Sequence, residues 1–76
     1  MKPSVGRIVL VSMDPAMNNG AGVAPAVITR VWDDTTVNVH VLPDGHVTEW
    51  QTSATYVDSL DEETGGLYRW TWPPRI

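Results

Sequence analysis

The 76-residue chain contains no cysteine and no phenylalanine. Without cysteine there is no disulfide, no thiolate nucleophile and no sulfur-ligated zinc, so packing alone has to hold the fold, as expected of a protein from a reducing cytosol. Basic residues are scarce as well, five Lys and Arg against nine Asp and Glu, for a net charge of −4. That balance argues against duplex nucleic acid, whose phosphates demand a positive surface. Long apolar runs are missing too. The longest, Ile8-Val9-Leu10-Val11, falls far short of a secretory leader core or of the roughly 20 residues that span a bilayer, which leads us to expect a cytoplasmic protein with no membrane partner.

The aromatic set is four Trp and two Tyr. Both residue types join a large apolar body to a polar handle and favour interfaces, so the composition leans towards recognition. A chain this short forms one domain, taken as residues 1–76, and buries a small share of its surface, which makes a homo-oligomer an expected form.

Glycine and proline divide the chain at Pro3, Gly6, Pro15, Gly20, Gly22, Pro25, Pro43-Asp44-Gly45, Gly65-Gly66 and Pro73-Pro74, leaving little room for a helix. Between the breaks lie β-branched and aromatic residues that alternate in places, the mark of short strands. We read five strands: 7–12, 25–32, one in which Val37, Val39 and Val41 share a face opposite Asn38 and His40, 47–52, and 67–72. The turn-prone residues 13–22 suit a mobile tip. Pro43-Asp44-Gly45-His46 reads as a tight hairpin, and strands two to four as a meander. Residues 53–57 form either a 3₁₀ turn or a continuation of strand four. In the last strand Tyr68, Trp70 and Trp72 point one way if it is regular. Five strands, a long first loop and a central meander predict an all-β, five-stranded SH3-like barrel, and 25–45 resembles the Tudor and KOW variants of that barrel.

Candidate chemistry is sparse. His40 and His46 flank the hairpin, with Asp44 or Glu49 as conceivable third ligands, but turn residues of this kind are mostly solvated and no metal site is assigned. The acidic stretch Asp58-Ser59-Leu60-Asp61-Glu62-Glu63 lacks the ligand spacing of a calcium loop. Ser12, Ser53 and Ser59 have no elbow or triad context, and no glycine-rich stretch carries a phosphate-binding lysine, so we assign neither enzymatic activity nor a cofactor. What remains is Trp32, Trp50, Tyr68, Trp70 and Trp72 with Arg30, Arg69 and Arg75. Rings stack on flat ligands and arginine forks hold phosphate or carboxylate, so these eight are the candidate ligand or partner contacts. In a domain without Phe, two or three of the rings are also needed as core. The tail 70–76, with its Pro-Pro pair, reads either as a recognition segment or as a latch over a barrel edge.

Gly6-Arg7-Ile8-Val9, Pro25-Ala26 leading to Arg30-Val31-Trp32, Asp44-Gly45 leading to Trp50, and the closing Trp-Thr-Trp-Pro-Pro-Arg-Ile resemble short uncharacterised proteins of tailed phages and prophages. The resemblance carries no assigned activity or site residues. It implies a phage accessory protein acting in the host cytoplasm, with three functions to weigh: capture of a nucleotide-derived immune signal as counter-defence, inhibition of a host defence protein, or a small structural part of the virion.

Overall fold

The computed structural model describes residues 2–45, 47–60 and 69–74. Five strands, β1 (Ile8–Ser12), β2 (Val23–Val31), β3 (Thr36–Val41), β4 (Glu49–Tyr56) and β5 (Arg69–Thr71), close in chain order into a small SH3-like barrel. Neighbours pair antiparallel except β4 and β5, which run parallel through Thr55 beside Arg69 and Tyr56 beside Trp70. Antiparallel pairing of β5 with Leu10 and Val11 of β1 completes the closure. Among the described residues no helix is long and apolar enough to cross a membrane.

The interior is built from small and branched residues around one large ring. Val9, Val11, Ala24, Ala26, Ile28, Val37, Val39, Val41 and Ala54 are buried with Trp70. The three alanines leave the volume that the Trp70 indole occupies, and its Nε1–H is satisfied by donating to the Thr35 carbonyl at 3.0 Å. Tyr56 and Trp72 meet Trp70 edge-on, with centroids 5.0 and 5.2 Å away. The shared face of Val37, Val39 and Val41, and that of Trp70 and Trp72, match the alternation read from the sequence.

Two β-bulges decide what the barrel shows on its outside. Ala24, Ala26 and Ile28 face in, and strict alternation would continue with Arg30 and Trp32. Instead the β2/β3 register shifts between Ile28 and Arg30, leaving Thr29 as an extra residue. The phase inverts: Val31 packs against the core while Arg30 and Trp32 turn outwards. The β3/β4 register shifts likewise, so that Gln51 lies opposite Val39 and Ala54 opposite Val37, with Thr52 and Ser53 together facing Asn38. Ser53 takes a left-handed φ of 57°, and beyond it β4 continues to Tyr56. Residues 53–56 are therefore strand, and the only 3₁₀ turn among the described residues lies elsewhere, at Pro15–Met17.

Side-chain hydrogen bonds tie down the first loop. Asn18, 1% exposed, donates through Nδ2 to the carbonyls of Ala21 and Val23 and accepts from the Asp44 amide at 2.6 Å. It ties the first loop to the turn between β3 and β4. That turn is wider than the tight hairpin expected, because Val41 pairs with Glu49 across seven intervening residues. Gly45 does take the positive φ, 77°, that such a turn requires.

Candidate functional site: an outer sheet face with two exposed tryptophans

The register places a row of side chains across the outside of four strands. Ile8 pairs with Val27, Val27 with His40, and His40 with Trp50. Since Val9, Ala26 and Val41 in the neighbouring row point inwards, this row points out. Ile8 and Trp50 are 48% and 58% exposed, and Val27 and His40 are half-buried between them. Beside it runs a second outward row with Leu10 opposite Pro25 and the exposed Leu42, whose amide is bonded to the Pro25 carbonyl.

On the other side of the His40 row stands Trp32, 52% exposed but not free to swing. Its Nε1–H donates to Asn38 Oδ1 at 2.9 Å, and the same oxygen accepts from Thr52 Oγ1 at 3.1 Å and from the Ser53 amide at 2.8 Å. Asn38 sits opposite both bulges and is only 6% exposed, so one carbonyl oxygen holds the bulge amide of Ser53, the Thr52 hydroxyl and the Trp32 ring in place. Over the ring lies the Arg30 guanidinium, 4.1 Å from the centroid. A cation on an indole face contributes about 0.5–1 kcal/mol at an exposed site. Among the described residues Arg30 has no carboxylate partner, the one ion pair there being Lys2 with Asp34 at 4.0 Å.

The turn that follows Trp32 is organised by Asp33. Its Oδ1 accepts from the amides of Thr35 and Thr36, both at 2.8 Å, and from Thr35 Oγ1 at 3.0 Å. The Thr35 backbone bond, then the other donors, hold its carboxyl below the usual value. On the far side of Trp70, the Tyr56 hydroxyl is pushed up, chiefly by its hydrogen bond to the Asp58 carboxylate.

The eight residues singled out from the sequence therefore divide. Arg30 and Trp32, stacked on each other, and Trp50, opposite His40, all point out of the barrel. Trp70 is core, 1% exposed, and offers no surface to a ligand in the single chain. Trp72 is half-buried against Trp70, in a cluster with Tyr56. Arg69 is half-buried on β5. Tyr68 and Arg75 lie outside the described residues, as do His46 and residues 61–63 of the acidic stretch. Residues 70 and 71 belong to the barrel wall, so the tail begins as part of the closure rather than as a separate segment. No trio of His, Cys, Asp or Glu among the described residues is arranged to hold a metal ion.

Sequence reasoning missed Asn38, Asn18 and Gln51, three amides buried by long-range contacts. Gln51 Oε1 is buried with no hydrogen-bond partner among the described residues, an arrangement that costs about 1–3 kcal/mol. No local pattern marks these residues; the one available signal was a polar side chain inside an apolar β-branched stretch, as in Val37-Asn38-Val39.

The fold and the outer face together define a small β-barrel with exposed aromatic and apolar side chains on one outer face. Compared with protein-family models, curated proteins and solved structures, the chain matches none.

Proposed function

We propose that this is a non-enzymatic binding protein that docks on a partner protein through the outer face of β1–β4, with Trp32 and Trp50 as its anchors. The observation that carries the reading is the bulge at Thr29, which turns Trp32 outwards, where Asn38 then locks it. A large aromatic side chain held rigid at the surface loses little entropy on binding, the property of residues that dominate interface energies. The Ile8–Val27–His40–Trp50 row and Leu10, Pro25 and Leu42 extend the anchors into an apolar patch rather than a closed cavity, which suits a protein surface better than a small molecule. With a net charge of −4 on this chain, the partner is a neutral-to-basic protein surface with an apolar centre. Together with the phage resemblance, this favours an inhibitor of a host protein.

A second reading has its own observation. Arg30, stacked on Trp32 and without a carboxylate among the described residues, offers a guanidinium fork next to an aromatic plane, the combination that would hold a nucleotide-like anion. Capture of such a ligand needs a further wall, from a second copy of the chain.

The two separate in one experiment. A photoreactive amino acid at Ile8, in the host cell, is expected to cross-link one discrete protein, and the product is lost in Trp32→Ser; the same probe at Thr55, which belongs to neither outer row, gives none. Cross-links only to a second copy, or equal yields from both positions, would contradict docking on a partner. A stoichiometric anion released on denaturation would move the assignment to capture.

A further inference from the structure

The one Asn-Gly pair of the chain, Asn19-Gly20, forms the tip of a β-turn closed by the Ala21 amide on the Asn18 carbonyl at 3.0 Å. Both central residues take a left-handed φ, 51° at Asn19 and 90° at Gly20, as in a type I′ turn. Both are exposed, and a Cβ at Gly20 would meet nothing within 4 Å, so solvent reaches the peptide bond between them.

Such a pair supports a reaction that needs only water. The Gly20 amide nitrogen, having given its proton to water or hydroxide, attacks the carbonyl carbon of the Asn19 side chain. The new nitrogen–carbon bond closes a five-membered succinimide, the bond to Nδ2 breaks, and ammonia leaves. Water then opens the ring, giving aspartate or, by attack at the main-chain carbonyl, isoaspartate. Glycine favours the closure because it has no Cβ to obstruct it.

Three contacts restrain this course. The Gly20 N–H donates to the Pro15 carbonyl at 2.8 Å, which holds the proton that has to leave. Asn19 Nδ2 donates to Asp44 Oδ2 at 3.1 Å, tying the side-chain amide to the turn 43–45. Beside it the Asp44 amide donates to Asn18 Oδ1 at 2.6 Å, so loop and turn are clamped twice. Ring closure therefore proceeds from molecules in which the loop has opened locally. The product reverses the sign of the second contact: where Asp44 accepted from an amide, it faces a carboxylate.

We infer that Asn19 is a deamidation site gated by the clamp between the first loop and the turn 43–45, and that its product releases the clamp. Since aspartate does not regain ammonia in neutral water, the release runs one way, and the clamp sets a lifetime for the closed loop. Every residue involved lies away from the Arg30–Trp32 stack, and nothing in the inference depends on the docking reading.

The test is incubation of the purified full chain, with peptide mass spectrometry to locate any amide-to-acid conversion over time. Conversion at Asn19 is expected, faster with rising pH and about tenfold or more slower than in an acetylated, amidated peptide of residues 16–23. Asp44→Ala should speed it severalfold and Asn18→Ala more, whereas Asp34→Ala, which removes an exposed carboxylate elsewhere, should leave the rate unchanged. Asn19→Asp, the product itself, should show faster hydrogen exchange at the Gly20 and Ala21 amides with the β3 amides unaltered. Equal rates in chain and peptide, no conversion in the chain, conversion at Asn18 or Asn38 instead, or a parental rate in both Asp44→Ala and Asn18→Ala would each overturn the gated site. Parental exchange in Asn19→Asp would overturn the release.

Discussion

Replacing Asn38 with alanine tests how the exposed tryptophan is held. The substitution removes one oxygen that accepts three hydrogen bonds, from Trp32 Nε1, Thr52 Oγ1 and the Ser53 amide. Each is worth about 0.5–1.5 kcal/mol net. Trp32 and Thr52 are exposed enough to turn to water, and Thr52 keeps its 3.2 Å contact with the Ser53 hydroxyl. The Ser53 amide, fixed by the bulge, has no such alternative, so the loss should be about 2–3 kcal/mol, below the simple sum. At about 4–8 °C per kcal/mol for a domain of this size, the melting temperature falls by roughly 10–20 °C. Asn38→Asp keeps the accepting oxygen and should melt near the parent at neutral pH. Calorimetry gives the stability, and hydrogen exchange of the Trp32 indole N–H reports the local effect, expected to be faster in Asn38→Ala and unchanged in Asn38→Asp. An Asn38→Ala protein melting within about 2 °C of the parent, or with unaltered indole exchange, would refute the hub.

Three further outcomes follow from the same structure. Asn18→Ala should cost about 2–4 kcal/mol, since it strands the Asp44 amide and two carbonyls, and should expose residues 13–22 to limited proteolysis while the β3 amides stay protected. Val39→Asp should abolish the folded state by circular dichroism at neutral pH, because Val39 is fully buried and an unpaired carboxylate there costs more than a domain of this size can absorb. Asp33 has a lowered folded pKa, so its contribution is present above the ordinary value of 3.8 and disappears as pH falls through the folded value. Chemical denaturation across that acid range should show a shallower loss of stability in Asp33→Asn than in the parent.

The barrel was legible in the sequence for a physical reason. Valine, isoleucine and threonine runs set between Gly and Pro breaks specify strands locally, and Val37, Val39 and Val41 announce their shared face by spacing alone. The aromatic candidates were legible as a set but not as individuals. Trp70 and Trp32 differ in fate because one follows an unbroken alternation into the core and the other follows a bulge out of it, and a bulge has no sequence mark when the extra residue is Thr29. The end of β4 was obscured in the same way, since Ser53 breaks the period of two without ending the strand. Asn18 owes its burial to the loop's docking on the turn 43–45, and Gln51 to its place in β4 opposite Val39, contacts between segments distant in sequence.

The central claim is that the outer face of β1–β4 is a protein-binding surface anchored by Trp32 and Trp50. Native mass spectrometry of the protein recovered from host cells, run on the parent, on Trp32→Ser and on Trp50→Ser, addresses it most directly. The account predicts a stoichiometric protein partner on the parent and its loss from both folded variants. A partner retained by both variants, or a parent that carries only a small molecule or a second copy of itself, would contradict it.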